Sequence, residues 1–283
     1  MSTPQRESVR DLLISDLREA YMEIFPAPHI EQRLEVLEPN SYVAVTCSPT
    51  KGVAETLDLT ERLVKLGFRV APHVAARNVR NQKHLAEIMA RLRALGIESM
   101  FVPGGDRPNP AGEFSSALQL LQSISDIPHD IKEIGVAAHP EGHPDVTAES
   151  LLEALEMKQK YAHYMVTQMC FDANVLGMWL LDMRARGIKL PVWIGLPGAI
   201  ERNRLIKASF RIGVGDSLRF LRRKSKVMKE LMKSSVYEPD ELVHGLAKYQ
   251  LLPGTNVAGY HLFCFNQVEN TETWRSSAIE ALS

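Results

Sequence analysis

YVAVTCSPTKGVAETLDLTERLVKLGFRVAPHV, Tyr42–Val74, holds one complete unit of the fold. It opens on a short apolar, β-branched run, Tyr42–Cys47, and closes on another, Phe68–Val74. Between them TLDLTERLVKLG places apolar residues near i, i+3, i+4 and i+7, the spacing of one helix face, and ends at Gly67. A glycine just past the last turn takes the left-handed backbone that closes a helix. Short strands that are apolar on both faces and joined by a helix-length crossover pair in parallel, since antiparallel neighbours need only a tight turn.

The unit recurs along the chain. Tyr21–Phe25 (YMEIF) precedes it; Ser99–Val102 (SMFV), Ile134–Ala138 (IGVAA), Tyr164–Thr167 (YMVT), Pro191–Leu196 (PVWIGL) and Tyr260–Phe265 (YHLFCF) follow. HLAEIMARLRALG is a second amphipathic stretch and ends at Gly96. Eight strand–helix units of the α/β class predict a closed (β/α)8 TIM barrel, with a doubly wound open sheet as the alternative. The chain has 283 residues, and barrels of roughly 250 form one domain. Residues 1–283 are therefore expected to be a single barrel domain, with 1–19 a helical N-terminal extension. The stretch between Leu196 and Tyr260 is too long for one crossover; it is expected to hold two or three helices and a cover for the substrate.

Composition narrows the function classes. A formal net charge of −1 excludes a nucleic-acid protein that relies on bulk electrostatics. The N-terminus has no apolar signal core and no run of roughly 18 apolar residues occurs, so a cytoplasmic protein without membrane contact is expected. Cys47, Cys170 and Cys264 lie far apart and match no metal-ligand spacing. They read as small hydrophobes, and no metal is expected. GVGDSL at Gly213–Leu218 is a partial glycine fingerprint without a preceding strand, which makes it a surface turn. The basic stretch Arg202–Lys233 is either the solvated face of helices or a place for the phosphates or glutamate tail of a ligand.

In α/β barrels chemistry collects at the C-terminal ends of the strands, and polar residues gather there in this chain. Glu23 lies inside the first run, Thr46 ends the second and His73 the third. Gly104, Gly105 and Asp106 follow the fourth; His139, Glu141 and His143 follow the fifth; Thr167 and Gln168 end the sixth, with Asp172 just after. A strand-end histidine is commonly a rim or core residue, Asp106 reads as a turn residue and Gln168 as a backbone partner. Glu23 resists such a reading: a carboxyl in an apolar strand points inward, is desolvated and suits proton donation.

With these residues in place, the chain resembles the methylenetetrahydrofolate reductases along nearly its whole length. MEIFPAP is similar to the family's E-F-F-P-P, VAVTC to its V-T strand, APHVAARN to A-H-L-T and VPGGDRP to R-G-D-x-P. VAAHPEGHPD is similar to V-A-A-Y-P-E-x-H-P-E, YMVTQMCFD to I-T-Q-x-F-F-D and GYHLFCFN to G-x-H-F-Y-T-x-N. The resemblance implies a barrel oxidoreductase of one-carbon metabolism that reduces 5,10-methylenetetrahydrofolate to 5-methyltetrahydrofolate with NADH or NADPH. It implies Glu23 as the acid, Asp106 as stabiliser of positive charge on the substrate and Gln168 as pterin ligand. Thr46, His73, Gly105, His139 and His143 fall at cofactor positions.

The departures fall on the flavin side. Gly104 replaces an arginine and His139 a tyrosine. LLEALEMKQKYAHY carries Glu153 and Glu156 where flavin-binding members have Asn and Arg-Lys groups, leaving Lys158 or Lys160 as the available cations. The pattern resembles the divergent, flavin-independent actinobacterial type, in which the nicotinamide passes hydride directly to the folate. An FAD-dependent reductase is one alternative, and a non-catalytic folate-binding partner of a methyltransferase is another. NADH against NADPH, and the oligomeric state, are not legible.

Overall fold

The computed structural model describes residues 9–211 and 235–283. The barrel strands are Tyr21–Ile24 (β1), Tyr42–Val45 (β2), Arg69–Pro72 (β3), Ser99–Phe101 (β4), Glu133–Ala138 (β5), Tyr164–Thr167 (β6), Val192–Pro197 (β7) and Val257–Phe263 (β10). They form one eight-stranded sheet in the order β3-β2-β1-β10-β7-β6-β5-β4, with every pairing parallel. Its two ends meet where His73 bridges Phe101 in parallel and the Val74 N–H donates to the Phe101 carbonyl at 2.8 Å. The fold is a (β/α)8 barrel.

All eight expected strands are present, with shifted ends. Thr46 and Cys47 leave the ladder after Val45, and His73 and Val74 after Pro72, so the last residues of those runs begin the loops of the mouth. The amphipathic stretches are Gly52–Lys65 (α3) and Gln82–Ala94 (α4), after the short α1 (Val9–Arg18) and α2 (Ile30–Arg33). α3 buries Val53, Leu57, Leu59 and Leu63 against the sheet. Gly67 and Gly96, just beyond the helix ends, have φ of +87° and +67°, the left-handed closure expected of them. Ala117–Ser125 (α5), Ala148–Lys158 (α6) and Ala173–Ala185 (α7) complete the next crossovers.

Between β7 and β10 the chain forms a small antiparallel pair, Ile200–Glu201 (β8) with Val236–Tyr237 (β9), and the helices Arg202–Arg211 (α8) and Asp240–Gln250 (α9). The glycine fingerprint Gly213–Leu218 and most of the basic stretch Arg202–Lys233 lie outside the described residues. Val268–Leu282 (α10) closes the chain. Among the described residues no helix is long and apolar enough to cross a membrane. All three cysteines are free thiols; Cys170 and Cys264 are buried and Cys47 is half-buried.

Period-two alternation divides the apolar residues between two cores. Met22 and Ile24 of β1 join the layer between barrel and helices. Tyr21 points into the lumen, where it packs with Ala44, Ala71, Tyr42 and Trp193. Its ring meets Trp193 edge-on at 4.8 Å. The floor of the lumen is thus filled by aromatic side chains, and Glu23, one alternation further along, emerges above it. Gly195 on β7 makes room at that level: a Cβ there would stand 2.1 Å from the Thr167 carbonyl oxygen and 2.7 Å from the Phe263 ring.

Candidate active site

Glu23 does not stand alone. Its Oε2 lies 2.8 Å from Nε2 of His261 and 3.9 Å from Nε2 of His73, with side-chain exposures of 16%, 4% and 7% respectively. The strands bring them together: β1 pairs with β10 so that Tyr21 is level with His261 and Glu23 with Phe263, while His73 reaches in from the end of β3. The His261 imidazole is flanked by the rings of Tyr21 at 5.9 Å and Phe263 at 5.1 Å. Burial pushes His73 down to about 4, outweighing the upward pull of Glu23, with His261 adding to the depression. His73 is therefore neutral at pH 7, and its buried Nε2 has no hydrogen-bond partner among the described residues.

Two further contacts hold β1 to the loop after β10. The Cys264 thiol donates to the Glu23 carbonyl at 2.9 Å. The Asn266 side chain accepts from Phe25 N–H and donates to the Phe25 carbonyl, each at 2.9 Å. That loop carries Phe265 and Asn266 at φ of +48° and +60°, a conformation that costs a bulky aromatic residue free energy and persists where the surroundings impose it.

Glu23, His73 and His261 are also the group whose ligand atoms converge within 4.8 Å. Two ligands on a tetrahedral ion at about 2.1 Å stand about 3.4 Å apart. The 2.8 Å Glu23–His261 separation is instead that of a shared proton.

The opposite wall is built from β5 and α6. His139 and His143 follow β5 with ring centroids 5.6 Å apart, edge to face. Burial brings His139 down to about 4, helped by Lys158 and His143. Lys158 at the end of α6 is buried, donates to the Ala137 carbonyl at 3.1 Å, and is pushed down by burial to about 8. Glu153 and Glu156 on the same helix are exposed.

The remaining candidates ring the mouth. Thr46 is half-buried after β2, its N–H on the Ile24 carbonyl. Gly105, at φ +92°, would press a Cβ within 3.0 Å of Ala75. Asp106 is exposed beside it on the loop after β4. Arg77 fastens that loop by donating to the carbonyls of Arg107, Pro108 and Ser115. Gln168, half-buried after β6, accepts the Met169 N–H on Oε1 at 2.8 Å, which leaves its NH2 to donate. Asp172 caps α7 by accepting from Asn174 and Val175 N–H. Thr167 turns its hydroxyl to the Gly195 N–H at 2.8 Å. The structure thus brings His73 within 3.9 Å of Glu23 and His139 beside His143, and sets Thr46 after β2, Gly105 and Asp106 together after β4, and Gln168 after β6.

His261 was not among the candidates read from sequence. The available clue was a polar side chain inside the apolar run YHLFCF, the same anomaly that singled out Glu23 in YMEIF.

With known proteins the correspondence is as follows. A family model described as methylenetetrahydrofolate reductase matches residues 28–203. A rice (Oryza sativa subsp. japonica) protein named probable methylenetetrahydrofolate reductase (NADH) is 28% identical over 167 residues, covering 52% of this chain and 27% of its own. Methylenetetrahydrofolate reductase (NADH) 1 of Arabidopsis thaliana is 29% identical over 180 residues, covering 55% and 30%. Methylenetetrahydrofolate reductase 2 of Saccharomyces cerevisiae is 30% identical over 112 residues, covering 36% and 19%. The matched part spans less than a third of each of these relatives.

Proposed function

The chain belongs to the methylenetetrahydrofolate reductase family, and from that premise we propose that it reduces 5,10-methylenetetrahydrofolate to 5-methyltetrahydrofolate, taking hydride from NADH or NADPH without flavin. The observation that carries this reading is Glu23: a half-enclosed carboxyl at the top of a packed lumen, held in place by a buried imidazole.

The five-membered ring of the substrate must open before hydride can add, and opening requires a proton on the bridging nitrogen. Glu23 is the group placed to donate it. The ring-opened substrate is a methylene-iminium cation, and Asp106, on the loop fastened by Arg77, provides negative charge for it. Gln168 directs its free NH2 to the pterin edge and fixes the orientation of the substrate. A nicotinamide, when bound, would supply the hydride. Thr46, His73, Gly105, His139 and His143 would hold it, an uncharged imidazole offering a carboxamide one donor and one acceptor.

A flavin dinucleotide fits less well. Its diphosphate requires cations or backbone donors. On α6 the carboxylates of Glu153 and Glu156 are exposed, while the Lys158 ammonium is turned inward to the Ala137 carbonyl. This donor set supports direct transfer. The same carboxyl speaks against a folate-binding partner without activity, because pterin recognition alone needs no enclosed acid. The single domain and cytoplasmic location expected from sequence belong to this proposal.

The test is the visible spectrum of the purified protein together with NADH oxidation in the presence of methylenetetrahydrofolate. Turnover without absorbance near about 450 nm is expected of direct transfer from a nicotinamide. Bound flavin, or a requirement for added FAD, overturns the flavin-free reading. Absence of turnover under both conditions overturns the enzyme.

A further inference from the structure

A carboxylic acid has two unlike oxygens, one that carries the proton and one that accepts. What surrounds each of them decides where the proton is offered. Oε2 of Glu23 faces two imidazoles: Nε2 of His261 at 2.8 Å and Nε2 of His73 at 3.9 Å. The first is a hydrogen bond and the second is too long for one. Oε1 has no hydrogen-bond partner among the described residues.

We propose that His261 is a positioning residue: its Nε2–H occupies Oε2 of Glu23, so that the transferable proton of the carboxyl is carried on Oε1. This rests on the reading of Glu23 as the acid. His261 is fitted for the task because it cannot turn away. It is buried on β10, flanked by Tyr21 and Phe263, and registered beside β1 by the strand pairing. His73 closes the far side of Oε2 as a neutral ring tilted 49° against Phe101 at 4.6 Å.

In the step that follows, the O–H bond at Oε1 breaks and an N–H bond forms on the bridging nitrogen of the folate. The bond from that nitrogen to the methylene carbon then breaks, its pair staying on the nitrogen, while the lone pair of the neighbouring nitrogen forms the iminium. Glu23 is left as a carboxylate, and the N–H of His261 becomes a charge-assisted donor to it, which favours the transferred state. Solvent returns the proton once product has left. The other titratable groups around the pair are His73 from β3, Tyr21 from β1 and the Cys264 thiol. Burial raises Cys264 to about 12, so it stays protonated.

The test compares His261→Ala and His261→Gln with the whole protein, in kcat and KM across pH and in melting temperature. His261→Ala is expected to lose about 100-fold in kcat, the scale of one general-acid contribution, with KM for the folate unchanged within about twofold. The alkaline limb of kcat should move to higher pH, because a carboxyl deprived of an N–H donor holds its proton more tightly. His261→Gln, whose amide can donate but does not titrate, should recover about tenfold of that loss. Unchanged kcat, or a loss that tracks melting temperature while the limb stays in place, overturns the proposal.

Imidazole ¹⁵N spectra provide a readout that needs no turnover. Nε2 of His261 is expected to carry the proton and to shift in Glu23→Gln; a bare Nε2 overturns the proposal whatever the activity. A wild-type protein that oxidises no NADH with the folate overturns the functional reading instead, and the nitrogen spectrum still decides the assignment of the proton.

Discussion

Two histidine groups line the mouth, one on β1, β10 and the end of β3, the other after β5, which in the ring of eight lies four strands from β1, three from β10 and two from β3. Each contains an imidazole that burial holds neutral, His73 on one side and His139 on the other. They differ in the charge beside those rings. The first group surrounds a carboxyl, Glu23, hydrogen-bonded to His261. The second stands near an ammonium, Lys158, buried against the Ala137 carbonyl. Similar rings therefore border a carboxyl on one wall and an ammonium on the other, and the neighbouring group sets the difference.

The strongest way to break this contrast is to remove the acid. Glu23→Gln is expected to lower turnover about a thousandfold or more, within the range of general acid catalysis, with NADH binding retained in a titration of the variant. Turnover at the wild-type rate would remove the functional distinction between the walls.

A second prediction uses the property they share. His73 and His139 have their folded values lowered from 6.5 to about 4, so between those values the unfolded chain binds more protons than the folded one. The stability they provide is complete above about pH 6.5 and is lost as pH falls toward 4, by up to about 3 kcal/mol each. Urea unfolding from pH 7 to 4 should show the decline, and His73→Asn with His139→Asn should flatten it.

Lys158 probes the second wall alone. Its folded value of about 8 lies below the ordinary 10.5, so carrying the charge costs stability below about pH 8, and that cost fades as pH rises toward 10.5. Replacing an uncompensated buried charge by an apolar side chain of similar length relieves it. Lys158→Met is expected to gain on the order of 1–3 kcal/mol at pH 7 and little at pH 10, read from melting temperatures. A loss at pH 7 would show that its bond to Ala137 outweighs the buried charge.

The smallest effect tests the proposed cofactor lining. His139→Ala should raise KM for NADH about tenfold, the equivalent of one hydrogen bond of about 1.4 kcal/mol, and leave KM for the folate alone. If the folate constant moves instead, the wall belongs to the substrate.

Much of the molecule is readable from residues near one another in the chain. The eight strands follow from short apolar runs, and the closure of α3 and α4 from Gly67 and Gly96, because backbone preference and periodicity act over a few residues. The enclosure of Glu23 also follows locally, since its neighbours in YMEIF are apolar. Asp172, by contrast, stands among the strand-end polar residues in the sequence, and only the structure shows its carboxylate on the first N–H groups of α7. Gln168 is divided in the same way: its Oε1 serves the Met169 backbone, and its NH2 is left to donate.

Sequence alone therefore determined the barrel, the end at which polar residues gather and the carboxyl that stands out there, all of them consequences of local pattern. Tertiary structure decided what that carboxyl touches. Glu23 and His261 are separated by 238 positions in the chain and meet only because the first and last barrel strands pair in parallel with Tyr21 beside His261. A hydrogen bond is a matter of tenths of an ångström, and that scale is set by the register of strands at closure, which no single run of residues contains.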